Sequence, residues 1–157
     1  MNKTILLVVF CFSLFVSGYS QEIRFDSYPS HPRLLVKKGE EQKIKSDLAL
    51  NPEMLRLHNY LLGQCDDLIT TPVLAYKKEG KRLLAVSREA LRRIFYLSYA
   101  YRMTGEDKYR LRAEQEMIAV CSFTDWNPSH FLDTGEMTMA VAIGYDWLFD
   151  RLSPDAR

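Results

Sequence analysis

Asp133 and Glu136 stand three residues apart, close enough on one helix for a carboxylic acid and a carboxylate to work as a general acid and base. The same spacing fits a capping box. There, Asp133 accepts the first free N–H groups of a helix and Glu136 reaches back to its entrance. Capping is the plainer of the two readings. Just upstream, Trp126, His130 and Phe131 bring flat ring faces that match the C–H face of a sugar. The same rings also suit a loop packed over a helix end. Asn127-Pro128 marks a turn under either reading.

A second cluster is basic. Lys77, Lys78, Lys81 and Arg82 place four cations within six residues around Gly80. The plain reading is a solvated loop; the functional one is contact with an acidic ligand such as a polyanionic sugar chain. Composition does not separate them. The three histidines, His31, His58 and His130, are too scattered for a histidine-built metal site. His58 lies inside a helical pattern and reads as a packed or capping residue. The chain carries no Gly-rich phosphate loop, no Cys-x-x-Cys pair and no serine in a nucleophile elbow.

The elements that must position these residues are helical. Residues 38–50 read as a helix with Ile44 and Leu48 four apart. Asn51-Pro52 restarts the pattern as N-cap and first helical position, and it runs to about Ile69. The stretch 70–85 breaks it. Ser87 then reads as the N-cap of a helix on which Ala90, Leu91, Ile94, Leu97, Ser98 and Tyr101 recur at helical spacing. Gly105 ends that helix in a left-handed cap. Asp107 starts another, with Ala113, Met117, Val120 and Cys121 as its apolar stripe. The two form a helical hairpin.

The last helix, placed at 136–149 behind an Asp133 cap, is apolar nearly all round and so reads as an inner helix buried on most sides. Ala140, Ala142 and Gly144 give neighbouring helices room for close approach. Ser153-Pro154-Asp155 reads as N-cap, N1 and N2 of a further helix, which implies that the chain is the front part of a longer protein.

The 157 residues suffice for one domain, and 21 Lys+Arg against 20 Asp+Glu leave no basic field that would point to nucleic acid. Residues 1–20 read as a secretory signal. Lys3 is positive, 5–16 form an apolar core short of a stable membrane span, and Gly18 and Ser20 are small residues before a cut at Gln21. An uncleaved anchor is the alternative. Loss of Lys3 takes Lys+Arg from 21 to 20, against 20 Asp+Glu, so the exported chain is neutral. It is expected in the periplasm or outside the cell, not as an integral membrane protein. Cys11 leaves with the signal. Cys65 and Cys121 read as two buried thiols.

Three stretches resemble one family: HPRLLV (31–36), YRMTGEDKY (101–109) and WNPSHFLDTGEMTMAVAIGYDWLFDRLSP (126–154). They are similar to the N-terminal region of the heparinase II/III-like polysaccharide lyases, and closer to the alginate-lyase-like and uncharacterised branches than to heparinase II itself. GYDWLFDRLSP is the most specific piece.

The resemblance implies an all-α fold over 21–157, with helical hairpins forming the N-terminal part of an incomplete (α/α) toroid. In full-length members a β-sandwich comes next. Members cleave uronic-acid polysaccharides by β-elimination: a Tyr or His removes the C5 proton while an Asn or His offsets the uronate carboxylate, which makes that proton acidic. These catalytic residues are expected beyond Arg157. Trp126, Asn127, His130 and Asp133 match a segment near the toroid's cleft and are the candidate substrate contacts. No cofactor or metal is expected within this segment; a structural metal beyond it is left open. The expected partner is an acidic polysaccharide or oligosaccharide. Two rivals stand beside this reading: a non-catalytic helical glycan-binding or interaction module, and a glycoside hydrolase on a similar toroid with Asp133 or Asp146 as its acid.

Overall fold

The computed structural model describes residues 28–157; the expected signal segment 1–20 and its Cys11 lie outside them. The fold is all-α. Among the described residues five helices succeed one another: α1 (Glu41–Leu50), α2 (Pro52–Thr70), α3 (Leu84–Thr104), α4 (Asp107–Cys121) and α5 (Phe131–Leu148). Two single 3-10 turns, Phe149–Arg151 and Pro154–Ala156, close the chain. Among the described residues there is no strand, only an isolated antiparallel bridge between Glu79 and Arg82 across a turn at Gly80. Among them, too, no helix is long and apolar enough to cross a membrane.

Several boundaries obey local chemistry. The Asn51 side chain accepts from the N–H groups of Glu53 and Met54, and Pro52 fills the first helical position, where no N–H is needed. Gly105 takes φ +76° and sends its N–H to the Tyr101 carbonyl at 2.7 Å, ending α3 as expected. α4 begins two residues later and packs back along α3, so the hairpin is present.

Other boundaries depart from the sequence reading. α1 starts at Glu41 rather than Lys38, because Gly39 at φ +90° breaks the helical path before it. Ser87 is not an N-cap. α3 already starts at Leu84, and the buried Ser87 hydroxyl donates back to the Leu83 carbonyl at 3.2 Å. Ser153 makes no side-chain cap either; its hydroxyl turns to Glu114, and Pro154–Ala156 form a single 3-10 turn. Cys65 is fully buried, but Cys121 is exposed at the end of α4, so the two are not a matched buried pair; both are free thiols. Burial, helped by the nearby Asp66 charge, pushes the Cys65 thiol up to about 12, which keeps it protonated and inert.

The core gathers where α5 lies in the angle between α3 and α4. Ile94, Leu97, Val120, Met137 and Ala140 are among its members, all fully buried. Each of the larger side chains there, Ile94, Leu97, Val120 and Met137, contributes roughly 1.5–3 kcal/mol relative to exposure. Gly144 sets how closely the three helices meet. A Cβ at that position would stand 2.4 Å from Ile94 Cγ2 and 2.7 Å from Met117 Sδ, so a larger residue fits only if the Ile94 and Met117 side chains give way. The expected close approach is therefore real at Gly144. Ala142, by contrast, is exposed. α5 buries Met137, Ala140, Ile143, Trp147 and Leu148 but leaves Phe131, Leu132, Thr138, Met139 and Ala142 open along one side.

Buried charge ties the connections to this core. Glu116 on α4 has no exposed surface; it accepts from Arg93 at 3.0 Å, from Arg112 at 2.5 Å and from the Leu74 N–H at 3.0 Å. It thereby holds the α2–α3 connection against the hairpin. His58 is packed as expected, with Nδ1 2.9 Å from the Tyr99 hydroxyl.

Candidate functional site

Two connections meet beside the start of α5: residues 71–83, between α2 and α3, and residues 122–130, between α4 and α5. They carry the basic cluster and the aromatic run, which stand far apart in sequence. Their junction is the carboxylate of Asp133, which is fully buried. One oxygen accepts from Arg82 Nε at 3.1 Å and Nη2 at 3.0 Å. The other accepts from the Leu83 N–H at 2.7 Å and from Asn127 Nδ2 at 2.7 Å. Asn127 is itself buried, and its amide also donates to the Lys81 carbonyl at 2.9 Å. It takes φ +56°, a conformation that asparagine tolerates better than most residues.

Asp133 therefore does not cap its own helix. α5 begins two residues earlier, at Phe131, with His130 at the cap position and no side-chain cap bond. The carboxylate turns outward from α5 and fixes the entry into α3 instead. Glu136 does not complete a capping box: it pairs with Arg88 at 3.3 Å, and its Oε2 is buried without a partner. The negative charge of Asp133 in the first turn of α5 still suits the helix's positive end.

The remaining candidates divide. Trp126 is half-buried, its ring packed on the core and its indole N–H donating to the Val120 carbonyl at 2.8 Å, where it closes the last turn of α4. His130 is half-buried. Its Nδ1 lies 3.1 Å from the Ser129 hydroxyl and 3.3 Å from the Asn127 amide nitrogen. The Asn127 amide is already committed to shorter bonds at 2.7 and 2.9 Å, so Ser129 is the better donor to the ring. Nε2 of His130 has no hydrogen-bond partner among the described residues. Phe131, next to it, is 85% exposed. The structure thus brings Asn127 and Asp133 together as a buried hub, sets His130 at its edge with Phe131 at the surface, and directs Trp126 toward the interior.

The electrostatics of the hub oppose acid catalysis. Burial pushes the Asp133 carboxyl up, but the hydrogen bonds from Asn127, the Leu83 N–H and Arg82 outweigh it and hold the group below its ordinary value. A general acid in a glycoside hydrolase needs the opposite shift. Asp146, the other candidate acid, is equally committed. It is buried near the end of α5, accepting from His31 Nδ1 at 2.5 Å and from the Arg33 and Leu34 N–H groups at 2.9 and 2.8 Å. Among the described residues, no group of three or more His, Cys, Asp and Glu side chains is placed to hold a metal ion.

Sequence reasoning placed Asp133 and Arg82 in separate features and gave neither the other as partner. Nothing local marks the pair, whose members lie 51 residues apart. A faint signal existed in Asn127, an asparagine before a proline in a turn, a residue able to take a left-handed backbone. No family model matches the chain, and no curated protein matches it.

Proposed function

We propose that this chain is the N-terminal helical part of an exported polysaccharide lyase, periplasmic or secreted, which cleaves uronic-acid polysaccharides by β-elimination on an (α/α) toroid. One observation carries the reading. Residues of the 126–154 stretch that bear the resemblance each fill a distinct place: Asn127 and Asp133 lock the entry into α3, Gly144 sets the depth of α5, and Asp146 and Trp147 bind the 31–36 stretch. The reading also accounts for the exposed Leu132, Met139 and Ala142 of α5, which in a toroid face the next hairpin.

In the reaction a base removes the uronate C5 proton and the C4–O bond breaks. The electron pair becomes the C4=C5 double bond, and the departing oxygen takes a proton. No residue within 28–157 is assigned the base or acid role. The part of this chain is to shape and hold one wall of the cleft, with His130 and Phe131 as its sugar-facing groups. The glycoside-hydrolase rival loses ground because Asp133 and Asp146 are spent on structural hydrogen bonds.

The test is ultraviolet absorbance of the unsaturated uronate, with alginate, heparan-type and other polyuronates as substrates. The complete reading frame that contains this chain is expected to generate that absorbance with at least one of them, and residues 21–157 alone with none. Release of new reducing ends without the absorbance would make the protein a hydrolase. Turnover by residues 21–157 would move the chemistry into this segment.

A further inference from the structure

The basic turn and the aromatic loop form one built surface. The Lys81 carbonyl and the His130 ring both meet the Asn127 amide nitrogen, at 2.9 and 3.3 Å, and Arg82, the turn's last cation, is clamped on the buried Asp133. A left-handed asparagine and a fully buried carboxylate are costly features, and here they serve to hold two surface loops against each other. The groups they hold out to solvent are specific. Lys77, Lys78 and Lys81 are exposed and form no ion pair among the described residues; Phe131 is 85% exposed and Tyr76 40%. Lys78 lies 5.7 Å over the Tyr76 ring, whose hydroxyl donates to Asp125 at 3.1 Å.

We infer that residues 77–82 together with His130 and Phe131 form a contact surface for an acidic glycan, with the lysines meeting carboxylate or sulfate groups and the rings meeting sugar faces. This inference rests on the acidic-polysaccharide reading and adds to it a part of the chain, the 77–82 turn, which that reading leaves unused. Arg82 and Asp133 cancel, so the three lysines face two acids, Glu79 and Asp125, on the same loops. The excess is small and carried by discrete cations beside rings. That suits a chain with about one charge per sugar. A nucleic acid, with a charge roughly every 1.7 Å of duplex, needs a broader basic field. Arg82, partly exposed, is held on Asp133 by its Nε and Nη2 and so is not counted among the free cations.

The experiment measures binding of the protein to oligoalginate and to heparin-derived oligosaccharides across a salt series. Neutral dextran and a single-stranded oligodeoxynucleotide serve as comparison ligands. The unmodified protein is expected to bind an acidic oligosaccharide, more weakly as salt rises, and to ignore dextran. The triple variant Lys77→Gln/Lys78→Gln/Lys81→Gln changes only exposed side chains, its fold to be checked by circular dichroism, and is expected to bind about tenfold more weakly, the scale of three lost exposed charge contacts. Its salt dependence should flatten. Phe131→Ala should weaken binding without flattening it. Equal binding by the triple variant would overturn the inference while leaving the lyase reading in place. Preference for the oligonucleotide would replace the glycan with a nucleic acid. Absence of binding to every acidic oligosaccharide would overturn the inference, and the ultraviolet assay decides the lyase reading separately.

Discussion

Asp133→Ala will destabilise the protein by about 2–4 kcal/mol, well beyond the roughly 1 kcal/mol of a lost helix cap. The carboxylate is fully buried and serves Arg82, the Leu83 N–H and Asn127 Nδ2 at once. Arg82 is partly exposed, so water can take over part of its pairing; the Leu83 N–H and the Asn127 amide are buried and have no such recourse. Their unmet hydrogen bonds make up most of the loss.

The effect carries a pH signature. The folded Asp133 has its pKa held below the ordinary value of 3.8, so its stabilisation is complete above that value and is lost as pH falls through the lower folded one. The unmodified protein should therefore lose stability more steeply below about pH 4 than Asp133→Ala does. Thermal melts of both proteins across the acid range check this. Parallel acid branches would mean that Asp133 has the same pKa folded and unfolded, so that the hub does not hold it down.

The second large effect is expected at the far end of α5. Asp146→Ala removes the acceptor shared by His31 and by the Arg33 and Leu34 N–H groups, and should cost about 2–4 kcal/mol. The damage should be directional. The stretch 31–37 is otherwise held by the Trp147 indole on the Leu34 carbonyl at 2.8 Å and by Arg102 on the Val36 and Lys37 carbonyls at 2.6 and 2.9 Å. With Asp146 gone, its first half loses its anchor while its second half keeps one. Limited trypsin digestion should then cut after Arg33 well before it cuts within α3 or α4. Unchanged resistance at Arg33 would place the anchoring elsewhere.

How far the sequence reveals this depends on whether a residue's partner is local. The Asn51-Pro52 start of α2 and the Gly105 end of α3 are settled within one turn of chain, and both are where the sequence puts them. Gly144 was readable as a close-approach residue because small residues cluster on an otherwise large-residue helix. Ser87 and Asp133 mislead for one reason. Both look like caps, yet the entry into α3 is held from 50 residues away by Asp133, which frees Ser87 to bond inside its helix.

α4 shows the same limit from the core side. Its apolar stripe at Ala113, Met117 and Val120 is visible, but Arg112 and Glu116, equally buried, look like solvated charges until Arg93 and the Leu74 N–H arrive from elsewhere. The candidate site was half legible. Its residues were found as a set, but their division into a buried hub and an outward pair depends on Arg82 and Lys81, which the sequence gives only as part of a basic loop.

The division of labour within residues 126–133 is tested most directly by comparing His130→Ala with Asp133→Ala in the longer protein proposed to contain this chain, reading melting temperature beside the KM and kcat of the proposed polyuronate cleavage. His130→Ala is predicted to leave the melting temperature nearly unchanged and to raise KM with little change in kcat, the mark of a group that only binds. Asp133→Ala is predicted to lower the melting temperature and to affect turnover chiefly through the fraction folded. If His130→Ala instead unfolds the protein while the remaining folded enzyme keeps full activity, the histidine is a packing residue and the sugar-facing role assigned to it is wrong.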